Sequence, residues 1–407
     1  MVHRSAALRL IGAIAVIAVA SSGCSSSSAT PTAPPTAPPT AVSPTATAAM
    51  TAAASTAPSA STASTDPVQA AIDATNAREA PQTQWTGPTT GPTADPGKTV
   101  VYISSDESNQ GSHLWGVYQQ EAGKLIGWKV TVLDGKGTTS GRLTACDQAL
   151  TLKPDAITFE GDAVGLQDCL KQADSSGIVI VGVHGAATPG PQPSLHLFTN
   201  VSSDPSQIGI AMADFIIADS HGTGKAMILY DNLFDVARAK AEAMKAEFAK
   251  CTGCTLLGYE NSPLAEVTTR TAPLFTAYQS KYGNDFQYVM SITDYYYDFA
   301  VPALTSASVP TSQLKLVGSD GNPSAYERIR SGNQYQVATV PEPAELLGWQ
   351  IIDEVNRGLH KVAPSGYAPP IYIVTESNVN AEGGANNIFS PSNNFQAHYL
   401  AIWTGKS

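Results

Sequence analysis

The chain has little that performs chemistry. Among 407 residues there are five cysteines and seven histidines, and Lys and Arg number 23 against 34 Asp and Glu. A formal net charge of −11 with scattered basic residues offers a phosphate backbone nothing to bind, which excludes a nucleic-acid partner. The histidines are dispersed and no His pair accompanies the Cys-x-x-Cys at Cys251 and Cys254, so zinc has no four-ligand set. No nucleophile elbow, HExxH helix or phosphate loop is present. Nor does the pattern offer a carboxylate pair at one strand end for glycoside hydrolysis. No catalytic residue, cofactor or metal is expected. Long apolar runs are missing too: Leu10–Ala20 falls short of the roughly 20 residues that span a bilayer, and no later run is long enough.

What is present begins at the N-terminus. Arg4 and Arg9 precede the apolar run, and Ser21-Ser22-Gly23-Cys24 follows it. A basic start, a short apolar stretch and small residues before a cleavage point make residues 1–23 a secretory signal. The ending resembles a bacterial lipobox, whose cysteine is acylated and becomes the new N-terminus. Ser21 departs from the usual Leu, Val or Ala, which leaves ordinary secretion with nearby cleavage as the alternative. Cys24 is expected to anchor the chain to the cell membrane on its extracytoplasmic, periplasmic side. Residues 24–97, rich in Ser, Thr, Ala and Pro, bury too little apolar surface to offset ordering entropy. They read as a disordered tether with an end-to-end distance of roughly 50 Å. Within it, Val68 to Glu79 is long enough for a brief helix.

Export places Cys146, Cys169, Cys251 and Cys254 where disulfides persist. Four cysteines allow three connectivities. A local Cys251–Cys254 bridge and a Cys146–Cys169 staple between successive helices form the expected one.

From Lys98 onward, short apolar runs alternate with amphipathic stretches. Val100–Ile103, Lys129–Leu133, Ala156–Phe159 and Ile178–Val183 read as buried strands, separated by helices over 112–125, 142–152 and 164–175. The rhythm restarts with a helix at Ile208–Ala218. Strands follow at 226–230, 255–259, 288–291 and 314–318, with helices over 237–250, 268–282 and 297–307. Such alternation indicates parallel sheets covered on both faces. The expected fold class is α/β, with two doubly wound, Rossmann-like lobes joined by a hinge. Ligands of open parallel sheets bind beyond the C-terminal strand ends, so two facing edges make a cleft.

These residues resemble a known family, the type I periplasmic binding proteins of ABC importers, in its ribose-binding-like branch. The marks are Ser104-Ser105 after the first strand, Leu125-Ile126-Gly127-Trp128, Leu152-Lys153-Pro154-Asp155-Ala156-Ile157, and Leu316-Val317-Gly318-Ser319-Asp320-Gly321-Asn322-Pro323. Cys251-Thr252-Gly253-Cys254 also looks like members of this branch. The resemblance spans Lys98 to roughly Ile373. It implies one lobe from 98–201 plus about 342–373, and a second from 202–341 plus about 374–407. Thr199-Asn200-Val201 and Pro341-Glu342-Pro343 then read as two crossovers, with the tail after Ile373 supplying a third. Asn378 to Asn394 has no assigned role.

By position, the resemblance carries ligand contacts onto the strand-end loops. Asp320 either accepts sugar hydroxyls or caps the following helix. Thr293 and Asp294 stand where the family has an Asn-Asp pair, and the Thr departs from the sugar-binding pattern. Glu342 falls near a family Gln facing the cleft; its alternative is a hinge role beside Pro341 and Pro343. Lys240 stands where a family Arg holds ligand, with Arg238 nearby, and either is also readable as a solvated helix cation. His184 replaces an Asp-Arg start and is followed by Gly185, which argues against ribose itself. Ser105, Asp106, Asn109 and Gln110 offer polar atoms from one lobe, and Asn232 and Asp235 from the other. Phe234 and Tyr295 are the candidates for stacking on a sugar face. Trp115, Trp128 and Trp349 read as core.

The function expected is a monomeric, membrane-tethered receptor that delivers a small polar solute to an ABC permease, with a sugar the leading expectation. A polyol is an alternative, as is an amine-bearing molecule, which the acidic candidates Asp106, Asp294, Asp320 and Glu342 would suit. A sensor subunit signalling without transport is the alternative, and an extracellular hydrolase a weaker third.

Overall fold

A computed structural model describes residues 66–406. The expected signal segment and Cys24 lie outside the described residues.

The elements run, in chain order, α1 (Pro67–Glu79), β1 (Thr99–Ser104), α2 (Gln110–Leu125), β2 (Lys129–Asp134), α3 (Thr139–Leu152), β3 (Ala156–Glu160), α4 (Gln167–Ser175) and β4 (Val179–Val183). Then come β5 (Gly190–Gln192), β6 (Leu197–Val201), α5 (Pro205–Asp219), β7 (Lys225–Tyr230), α6 (Asp235–Phe248), β8 (Thr255–Asn261), α7 (Val267–Tyr282) and β9 (Tyr288–Ser291). The last are α8 (Tyr297–Ser306), β10 (Lys315–Asp320), α9 (Pro323–Ser331), β11 (Gln336–Pro341), α10 (Ala344–Leu359), β12 (Val374–Thr375) and α11 (Phe395–Thr404).

Two six-stranded sheets result. One has the order β2-β1-β3-β4-β6-β5 and the other β12-β11-β10-β9-β7-β8. Each is parallel apart from an edge strand, β5 against β6 and β12 against β11. Their central strands are apolar and buried nearly throughout, as helices on both faces require. This is the two-lobed α/β architecture the alternation implied. The stretch Thr199–Val201, expected as a crossover, instead completes β6. The chain leaves the first lobe through 202–204 and returns through 342–343. Both disulfides form as expected: Cys146–Cys169 joins α3 to α4, and Cys251–Cys254 closes the turn before β8. Among the described residues, no helix is long and apolar enough to cross a membrane.

Two boundaries differ from the sequence expectation. Residues 66–97, expected as part of the tether, are packed onto the folded body. Asp66 caps α1 through Val68 N, and α1 packs on α5 of the second lobe, with Ala71 in the core and Arg78 paired to Asp214 at 2.6 Å. Residues 80–97 then cross to the first lobe. The carbonyls of Pro92 and Thr90 accept from Asn356 and Arg357, and the Trp85 ring stacks on His398. A segment poor in large apolar groups orders here because its few anchors meet preformed surfaces. The C-terminus departs as well. Residues 376–394 lie with the second lobe, but α11 packs on α10, and Tyr399, Ile402 and Trp403 enter the first lobe's core. Four of its ten residues are buried, which a free tail would not achieve.

A chain beginning at Lys98 should therefore melt at least about 5 °C below one beginning at Asp66 in a thermal denaturation, since losing α1 and Trp85 removes several kcal/mol of packing. Equal melting temperatures would contradict the placement of this segment in the folded body.

Candidate functional site

The C-terminal strand ends of both sheets face a cleft of about 1210 Å3. At its base sits a charged cluster. Lys240 projects from α6 and is 4 % exposed. Its Nζ donates to Asp320 Oδ1 at 2.7 Å, and to Ser319 Oγ and the Ile292 carbonyl at 3.3 Å each. Glu342 Oε1, on the crossover from β11 to α10, lies 4.0 Å from the same nitrogen and 3.2 Å from His184 Nε2. His184 directly follows β4 in the first lobe. One carboxylate thus faces a cation from each lobe.

The protonation states follow from this arrangement. Burial opposes charge on Lys240, but Asp320 and Glu342 outweigh it and hold the ammonium above its usual range. His184 behaves alike: burial pulls it down and Glu342 raises it further, so the imidazolium is favoured. For Glu342 burial pushes upward, while His184 and Lys240 bring it below the usual carboxylate range. Its second oxygen, Oε2, is buried, and the Ser203 hydroxyl beside the carboxylate also helps to hold it down.

The Gly318-Ser319-Asp320-Gly321 segment explains itself in space. A Cβ on Gly318 would lie 2.0 Å from Asp294 Oδ1, and one on Gly321 would lie 2.5 Å from Pro341. Asp320 takes a φ of +84° and His184 one of +54°, left-handed values that cost a side-chain-bearing residue about 1–3 kcal/mol. Both strained residues meet the charged cluster. Asp294 fixes the turn: it accepts from Gly321 N, Asn322 N, Thr339 Oγ1 and Gln336 Nε2 at 2.6–3.1 Å. Burial, with Asp320 adding to it, pushes the Asp294 carboxyl up to about 7 despite these donors.

The walls are polar with aromatic inserts. In the first lobe Ser105 and Asp106 occupy the loop after β1, and Asn109 caps α2 through Gly111 N and Ser112 N. Trp115 sets its ring edge-on to His184, with centroids 5.7 Å apart. In the second lobe Phe234, Thr293 and Tyr295 line the opposite face, and Tyr295 is 40 % exposed.

The structure thus brings Ser105, Asp106, Asn109, Gln110, His184, Phe234, Lys240, Thr293, Tyr295, Asp320 and Glu342 to one cleft. It does not bring Asp294, whose oxygens are taken by protein donors beneath the turn. Asn232, Asp235 and Arg238 lie outside the lining as well. Arg238 pairs with Asp235 and donates to the Asn232 carbonyl at 2.6 Å, a self-contained network on the surface of the second lobe. Sequence reasoning missed three contributors. Trp115 serves the core and the cleft together, which helical spacing cannot distinguish. Glu160 ends β3 as Asp320 ends β10, a positional signal that was legible; it accepts from Ser105 N at 3.3 Å, and burial raises it. Residues 386–389 reach the cleft from the unassigned tail.

Comparison with known proteins decides the family. The model of the periplasmic binding protein domain matches residues 100–357, well over half of the chain. The chain belongs to that family. Solved structures agree on the fold of this periplasmic binding protein. A sugar ABC transporter protein from Yersinia enterocolitica is 18% identical with a TM-score of 0.64, covering 78% of this chain and 99% of its own. A solute-binding protein from Agrobacterium vitis bound with α-D-tagatopyranose is 17% identical with a TM-score of 0.64, covering 72% and 100%. Another from Agrobacterium vitis, with bound allitol, is 18% identical with a TM-score of 0.62, covering 70% and 98%. No curated protein sequence matches the chain.

The His184–Glu342 pair predicts a pH signature. A histidine raised in the folded state stabilises fully below about pH 6.5, its unfolded value, and the contribution is lost as pH rises through the folded value. The stability difference between wild type and His184→Asn, from urea denaturation, should be about 1–3 kcal/mol at low pH and shrink in alkali. A difference independent of pH would contradict the pairing.

Proposed function

We propose that this chain is the extracytoplasmic, lipid-anchored binding subunit of an ABC importer, and that its cleft captures a small uncharged polyhydroxylated solute, a sugar. The observation that carries the reading is the state of the charged cluster. Among the described lining residues the cations are Lys240 and His184, and each already faces a carboxylate. An anionic ligand would find no spare positive charge. Asp320 is part-exposed, and its carboxylate is a strong acceptor for hydroxyl groups. Trp115, Phe234 and Tyr295 supply apolar faces for the C–H side of a sugar ring.

Several solved neighbours hold sugars or polyols, among them α-D-tagatopyranose, allitol and D-arabinose. Those ligands belong to those proteins, and they support the same chemical class here. Two lobes meeting at a charged hinge suit closure around a ligand. The role assigned is capture, not turnover. Acylation at Cys24 would hold such a receptor at the membrane, with the segment up to Asp66 as its leash.

A thermal-shift and calorimetric panel on the full chain tests this with neutral sugars and polyols, an amino sugar, and sugar acids. A neutral sugar at 100 times its Kd should stabilise by about 2.7 kcal/mol, and Asp320→Asn should weaken that binding by at least about tenfold. Response to sugar acids alone, or to no sugar at all, would overturn the reading.

A further inference from the structure

The tail between β12 and α11 does more than cover the second lobe. Arg330, on α9, clamps it: Nη2 donates to the Gly384 carbonyl at 2.7 Å and to Asn387 Oδ1 at 3.0 Å, and Nε donates to Asn380 Oδ1 at 2.9 Å. Phe389 lies flat on Tyr372, with centroids 4.8 Å apart and planes 3° from parallel. On the far side Ser390 Oγ donates to Glu345 Oε2 at 2.9 Å, on the first turn of α10 in the first lobe. The segment is therefore held from both lobes, and its residues 386–389 form one flank of the cleft, with Tyr118 of α2 and Glu327 of α9 also in the lining.

Its groups are divided between anchoring and presentation. The Asn387 amide is spent on Arg330 and on Glu327 Oε1. Asn386, exposed, makes no side-chain hydrogen bond among the described residues. Ile388 is half-buried beside it. A free amide next to an aliphatic side chain, with a tyrosine among the same lining groups, matches a sugar ring with its hydroxyl edge and C–H face. The cleft also has room: about 1210 Å3 exceeds the roughly 1,000 Å3 upper range of common small-ligand pockets.

We propose that Asn386 and Ile388, with Tyr118, form an outer subsite for a second sugar unit, so that the chain prefers a disaccharide or glycosylated polyol over a single ring. This rests on the sugar-binding reading above. The charged cluster would hold the first unit and the flank the second.

The test is calorimetric titration of the full chain with common disaccharides and their constituent monosaccharides, on wild type and on Asn386→Ala/Ile388→Ala. The expected result is a disaccharide binding at least about tenfold tighter than either constituent, an advantage that the double variant abolishes while monosaccharide affinity stays within about twofold. Equal binding of monosaccharide and disaccharide overturns the subsite. So does a variant that weakens both ligands alike, because that marks the flank as scaffolding. Tyr118→Leu, on the opposite lobe, keeps the conclusion independent of any misfolding of the tail; it should lower disaccharide affinity selectively. Binding of monosaccharides with disaccharides rejected overturns this inference alone. Absence of binding to any sugar overturns the reading beneath it.

Discussion

A lysine ammonium taken out of water at the base of a cleft is a costly object, and the site is arranged around Lys240. Desolvating such an ion costs several kcal/mol unless its partners and geometry offset the loss. Asp320 supplies the main offset at 2.7 Å, Ser319 and the Ile292 carbonyl add neutral acceptors, and Glu342 adds a second negative charge. These partners come from different elements: Asp320 from β10, Ile292 from the loop just after β9, Glu342 from the crossover into α10. His184, from the other lobe, reaches the same Glu342 oxygen. A single charge requirement thereby ties the second lobe to the hinge and, through the hinge, to the first.

The demand propagates outward into the backbone. Asp320 meets Lys240 from a left-handed conformation, and that conformation stands on Gly318 and Gly321, where Asp294 and Pro341 leave no room for a side chain. Asp294 is buried to make four hydrogen bonds to this turn and the strand beside it. The four-residue sequence Gly318-Ser319-Asp320-Gly321 is thus a mechanical part as much as a ligand contact. The same consideration separates the two acids that sequence position treats as equals: Asp320 faces the cleft and Asp294 holds the turn.

The alternation of apolar runs and amphipathic stretches made the sheets legible, because buried parallel strands are apolar along their whole length. Loops at strand ends are legible by topology, while it is the family resemblance, position by position, that brings His184, Lys240, Asp320 and Glu342 into view together. What escaped depends on packing at long range. The segment before Lys98 looks disordered in composition, yet Trp85, Arg78 and two carbonyls find partners that only the folded lobes create. In α11, the apolar run offers no clue to which lobe receives it, and α10 decides. The flank at 386–389 is an Asn-Gly-rich stretch whose order depends on Arg330, more than fifty residues earlier in the chain. Arg238 and Asp235 show the converse, since a cation and an acid near a strand end satisfied one another outside the cleft.

The account stands on Asp320 as the part-exposed carboxylate of the cluster that a sugar in the cleft can reach. A crystal structure of the chain with a bound sugar measures this directly. The expected result is a ligand hydroxyl within about 2.5–3.0 Å of an Asp320 carboxylate oxygen, with the Lys240–Asp320 and His184–Glu342 pairs intact. A sugar seated elsewhere with no hydroxyl on Asp320, or a ligand whose acidic group displaces Asp320 from Lys240, would contradict it.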